Sequence, residues 1–207
     1  MGIYAEKKEG DFKQVNPGLY VARCYSMIEI GTVEQDYLGE RKNVHLVNIT
    51  WELPTEKEVF NEEKGEEPFV VSKMYTLSLH EKANLRKDLE SWRGKGYTDA
   101  ETKRFDITKL IGQPCMLNII HEPSKTDSSK NYVRVASVSP LMKGQTCPDQ
   151  INPTKLLCFE DFNWEVFDTL PDWMKDKIKS SEEYKMLVEP QAVNTPAEQD
   201  DNDMPFN

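Results

Sequence analysis

Apolar and polar positions alternate with a period of two along most of the first half of the chain. Over residues 18–33, Tyr20, Ala22, Cys24, Ser26, Ile28 and Ile30 fall on one side, and Arg23, Tyr25, Met27 and Glu29 on the other. That pattern predicts a half-buried strand, with Gly31 allowing a bend near its end. Residues 34–41 read as a turn. A second strand is expected over 42–53, where Val47, Ile49, Trp51 and Leu53 mark the buried face; Val44 and Leu46 disturb the register and suggest a bulge. The polar, acidic stretch 54–67 reads as a long hairpin loop. Pro68 then opens a third strand running to His80, with Phe69, Val71, Lys73, Tyr75, Leu77 and Leu79 on one side.

Beyond His80 the period changes. Leu85, Leu89 and Trp92 recur at intervals of four and three, which gives one apolar stripe on a helix over 81–93. Gly94 and Gly96 end it. A short helix capped by Thr98 or Asp99 follows, with one more turn within 105–112. Strands four and five are expected over 114–122 and 132–140, joined by a turn. Three strands, a helix and two strands is the order of the five-stranded Greek-key OB barrel, with its helix between strands three and four. Another small mixed α+β sheet is the alternative.

Residues 1–140 are therefore expected to form one binding domain, with two further segments after it. Residues 141–187 carry a dense aromatic run, Phe159, Phe162, Trp164, Phe167 and Trp173, and a short helix beginning at Leu170-Pro171 with Trp173, Met174 and Ile178 on one side. So much aromatic area is expected to pack back on the barrel, the other use being association with a partner or a second copy. Residues 188–207 have no periodicity and read as a disordered acidic tail.

The 207 residues are 38% hydrophobic and 30% charged, enough for a lean core. No stretch approaches the roughly 20 apolar residues of a membrane span, and the first residues lack a secretory h-region, so a cytoplasmic protein is expected. The four cysteines form no CxxC pair and the three histidines no HExxH. Reduced structural thiols, no metal and no cofactor are the expectation. No phosphate-cradling loop or nucleophile elbow occurs, which argues against an enzyme.

Net charge is −10, but its distribution matters more than its total. Residues 188–207 hold five acids and no base, and residues 52–67 hold seven acids and two bases. With those two segments set aside, residues 1–140 carry a small positive excess. On the predicted strands, bases and aromatics recur two residues apart: Arg23 with Tyr25, Lys73 with Tyr75, and Arg134 with Tyr132. Cations that track phosphates beside aromatic faces that stack bases are what sequence-independent binding of a single strand requires. Lys42 and Lys130 add exposed charge near the strand ends. The segment 82–109, which includes Arg93 and Lys95, holds eight bases against five acids. The residues themselves leave open whether each tyrosine is a platform or a core group, and whether each base is more than a solvated charge.

The chain ends with Asp200, Asp201, Asn202, Asp203, Met204, Pro205, Phe206 and Asn207. Three carboxylates ahead of a stiffened aromatic anchor suit an apolar pocket rimmed by bases. This end resembles the acidic tip of bacterial and bacteriophage single-stranded-DNA-binding proteins. The stretches KNVHLVNITWELP, FVVSKMYTLSLHEKANLRKDLESWRG, LIGQPCMLNIIHE, SPLMKG and LPDWMKDKI resemble a phage-encoded group of those proteins. The family tip ends on Phe, whereas here Asn207 follows Phe206. The resemblance implies an OB-fold domain that coats single-stranded DNA in phage replication, recombination or repair, within the host cytoplasm. It also implies that Asp200, Asp201, Asp203, Met204, Pro205 and Phe206 recruit replication proteins such as DNA polymerase or helicase/primase. The acidic tail can in addition compete with DNA for a basic groove. The other functional class that fits is an acidic protein–protein adaptor or DNA mimic that never touches DNA. Self-association is left open.

Overall fold

A computed structural model describes residues 13–37, 39–124 and 131–189. The fold is predominantly β, a strongly curled antiparallel half-barrel. Its strands are β1 (Gly18–Tyr37), β2 (Glu40–Asn61), β3 (Gly65–Thr76), β4 (Pro114–Pro123) and β5 (Asn131–Ser139), in the order β3-β2-β1-β4-β5. A short β6 (Lys155–Leu157) pairs with β1 in parallel. The curl brings β3 and β5 close together although they share no ladder, which leaves an open seam between them.

Two helices follow β3: α1 (Asn84–Arg93) and α2 (Asp99–Lys103). Leu85, Leu89 and Trp92 of α1 are buried against the inside of the curled sheet, with Trp92 at 6.0 Å from Trp51 of β2. Gly94 ends α1 in the left-handed conformation (φ 68°), and Thr98 caps α2 in a reciprocal pair with Glu101. A 3₁₀ turn at Ile107–Leu110 leads into β4. These elements fall where the changes of period place them.

The sheet has a core on each face. Inside lie Ala22, Cys24, Val47, Ile49, Trp51, Leu53 and Leu117 with α1. On the outer face, Ile28, Ile30 and Leu46 meet Phe167, Met174 and Ile178, which come from α3 (Trp164–Asp168) and α4 (Asp172–Lys179). A last helix, α5 (Glu182–Val188), packs against β1. This second core explains why β1 and β2 are apolar on both faces at one end, and it is where the aromatic run packs.

Five expectations change. The expected turn at 34–41 is narrower, since β1 runs to Tyr37 and β2 begins at Glu40, and β3 ends at Thr76, short of His80. The pairing of β1 with β2 shifts between Cys24 and Ser26 and again between Glu29 and Gly31. The first shift turns Met27 inward, and Ile28 and Ile30 outward, away from the face of Ala22 and Cys24. Residues 54–67 are largely strand rather than loop: β2 continues to Asn61 and β3 begins at Gly65, so the acids lie on a hairpin arm. Trp173 parts from Met174 and Ile178, for it is 54% exposed while both of those are buried. The tail residues 190–207 lie outside the described residues. No described helix is long and apolar enough to cross a membrane.

Candidate nucleic-acid interface

The open seam forms a groove of about 720 Å³. Its walls are β3 at residues 72–76, the link into α1 and β5 at residues 133–135. Lys73, His80, Lys82 and Arg134 line it, and none of its lining residues is acidic.

Its chemistry is set from below by Asp88 of α1. Lys73 Nζ lies 2.7 Å from Asp88 Oδ2, and the Tyr75 hydroxyl donates to the same oxygen at 2.8 Å. The Lys73 ammonium also sits 5.2 Å from the centre of the Tyr75 ring. Burial and the neighbouring Asp88 charge push the Tyr75 phenol far above its ordinary range, so it stays a neutral donor. Lys73 thus reaches the groove with its charge already shared. Arg134 pairs with Glu122 across the β4–β5 ladder, and both remain well exposed. Lys82 has no ion-pair partner among the described residues. His80 accepts a hydrogen bond from the Lys82 backbone N–H at Nδ1 (3.3 Å).

Lys73, Tyr75 and Arg134 are therefore brought together, but in different roles. Tyr75 is only 3% exposed and offers no face to a base. It follows Val71 and Lys73 along the inner side of β3, and the core inside the curled sheet takes its ring. Tyr132, two residues from Arg134 on β5, is 54% exposed and does offer one.

The other predicted contacts lie elsewhere. Arg23 is a structural staple: it donates to the carbonyls of Gly112 (2.6 Å), Cys147 (3.2 Å) and Pro148 (2.7 and 3.1 Å). Those bonds fix the segment after β5 against β1 and leave its guanidinium committed. Lys42 pairs with Glu40 (2.8 Å) near the β1–β2 tip. Arg93, at the end of α1, pairs with Glu101 (2.6 Å) and stacks on Tyr97 at 4.4 Å. Lys95 is exposed just beyond the same helix end. Lys130 and Asp200–Phe206 lie outside the described residues.

Tyr25 faces the outer side of the sheet, away from the seam. It lines a second pocket of about 270 Å³ with Asn48, Thr50, Ser72, Lys155 and Trp173. Burial, then the charges of Glu52 and Cys24, push its phenol up to about 12. Strand alternation could not associate Tyr25 with Trp173, because an element far along the chain delivers the tryptophan. Lys82 belongs to the basic segment 82–109, which could extend a groove, but His80, expected at the end of the third strand, was missed, because β3 stops at Thr76 and the curl of the sheet decides the path of the link that follows.

Among the described residues, no three His, Cys, Asp or Glu side chains are placed to hold a metal ion. The chain matches no known family model, no curated protein and no solved structure.

Proposed function

We propose that the curled sheet is an OB-like barrel that binds single-stranded DNA without sequence preference. The order of strands, with α1 between β3 and β4 and the near-closure of β3 on β5, supports the barrel reading. One observation carries the binding reading: the seam groove presents Lys73, His80, Lys82 and Arg134 and no acid, in a strongly acidic chain. Such a groove can track phosphates, and its field draws in any other polyanion, the acidic tail included. On this reading the protein coats exposed strands during replication, recombination or repair. Its tail recruits replication enzymes and contends with DNA for the groove.

Fluorescence anisotropy of a labelled oligonucleotide, titrated across salt, tests this. Binding should weaken steeply with salt, and Lys82→Ala and Arg134→Ala should each lower the salt slope by about one. Absence of binding at low salt would sink the proposal.

The adaptor reading is favoured by a different feature. An apolar cavity of about 370 Å³ lies at the barrel end, lined by Leu77, Leu79, Phe105 and Leu157 with Lys103 and Arg104 beside them. If the parent chain binds no DNA even at low salt while partner enzymes still associate with it, this second reading gains.

A further inference from the structure

We infer that the outer pocket walled by Tyr25 and Trp173 is a nucleobase-stacking subsite, completed by the C-terminal segment. This rests on the single-strand reading of the seam groove.

Position comes first. Ser72 of β3 lines both the seam groove and the outer pocket, so the two are separated by one strand. The neighbouring Val70 is 48% exposed, and the outer side of β3 is open at that point. A backbone held in the groove by Lys82 and Arg134 can therefore lay a base across β3.

The walls suit a flat ring with polar edges. Trp173 sits at the start of α4, where Pro171 caps the helix, and Met174 and Ile178 of the same helix are buried. The helix is thus anchored by its other side chains and holds the indole at the pocket mouth, half in water. Tyr25 is half-buried opposite, on β1. An indole fixed this way loses little freedom when a base stacks on it.

The floor is polar. Asn48, 3% exposed, donates its Nδ2 to Thr50 Oγ1 at 3.2 Å, which leaves its carbonyl oxygen to accept from a ring N–H or amino group. Thr50 and Ser72 supply hydroxyls that donate or accept, so no base is singled out.

Charge completes the match. Lys155 of β6 is the single charged residue lining the pocket. Glu52, whose charge acts on Tyr25, is fully buried and holds three hydrogen bonds from Ile151 and Asn152, and the exposed Asp172, between Pro171 and Trp173, pairs with Lys175 at 3.1 Å. An apolar side chain from a protein partner would leave that floor unpaired, at a cost of about 1–3 kcal/mol per group, whereas a base satisfies it.

The test uses the full chain and a labelled oligothymidylate. Trp173→Ala should weaken binding about 5- to 150-fold, as loss of one stacked base does. Its salt slope should not change, because no phosphate contact is lost. Trp173→Phe should recover most of the affinity, and Lys155→Ala should lower the salt slope by about one. Lys82→Ala serves as the reference for the groove. If Lys82→Ala weakens binding while Trp173→Ala binds like the parent, the pocket is not a subsite although the groove stands. If the parent chain does not bind at all, the groove reading fails and the subsite falls with it.

Discussion

Glu52 is a carboxylate with no exposure, held by N–H groups instead of a countercharge. It accepts from the backbone of Ile151 and Asn152 and from the Asn152 side chain, each at 2.7 Å. Its partner in the β1–β2 register, Arg23, grips the same segment through the carbonyls of Cys147 and Pro148. Together they latch the chain where it leaves β5 and turns towards the outer face. Glu52→Ala would strand three donors, so it should cost about 3 kcal/mol or more; a loss below about 1 kcal/mol in urea unfolding would refute the latch. A second fastening centres on His45. Its Nε2 lies 2.7 Å from Glu29, its Nδ1 faces Thr32 and Glu183 at 3.3 Å, and Glu183 also accepts from Thr32 N–H and Oγ1–H. The hydrogen bond to Glu29 raises the His45 pKa against the pull of burial. For Glu29 and Glu183, burial works upward but is outweighed, by His45 and the Phe159 N–H at Glu29 and by Thr32 at Glu183, so both are lowered. The imidazolium therefore contributes stability that is complete below 6.5 and fades as pH rises through its raised value. The carboxylates contribute above 4.5 and fade as pH falls through their lowered values. The Tm gap between the parent and His45→Gln should be widest near about pH 5.5 and shrink by about pH 9. A gap that grows towards alkaline pH would contradict this.

Elements differ in how far their own residues decide them. The helix α1 is local: stripe, stop signal and burial agree. The hairpin arm of β2 and β3 is not, because its composition reads as loop. Strand there depends on cross-strand partners such as Phe60 against Phe69 (5.0 Å) and on Lys13 reaching Glu58 (2.8 Å). The end of β1 depends on a helix far along the chain. Gly31 has φ 88°, and a Cβ there would meet Glu183 Oε2 at 2.6 Å and Ser181 Cβ at 2.8 Å. Only glycine permits both that backbone and that approach of α5. Gly31→Ala should destabilise by about 2 kcal/mol or more and raise hydrogen exchange in α5 selectively. Uniform exchange changes across the sheet would mean that α5 is not docked through this contact.

At the scale of the molecule, the acidic total and the basic groove coexist because charge is sorted by segment. Half of the net charge belongs to residues 188–207. A chain ended after Val188 should bind oligonucleotide more tightly than the full chain, with the gap closing as salt rises; equal affinity at low salt would remove the tail as a competitor. Period, caps and charge blocks by themselves determined the order of elements, the helix α1 and the partition of charge, since each depends on neighbours within a few residues. They also put Lys73, Tyr75 and Arg134 on strands that meet. Which face each side chain took was decided only in three dimensions. One bulge reverses the sides of Met27 and Ile28, the core claims Tyr75, and backbone carbonyls of a later segment claim Arg23. The seam groove and the Tyr25–Trp173 pocket exist only because curling and docking join residues far apart in the chain, and periodicity reports what a residue faces, not whom it meets.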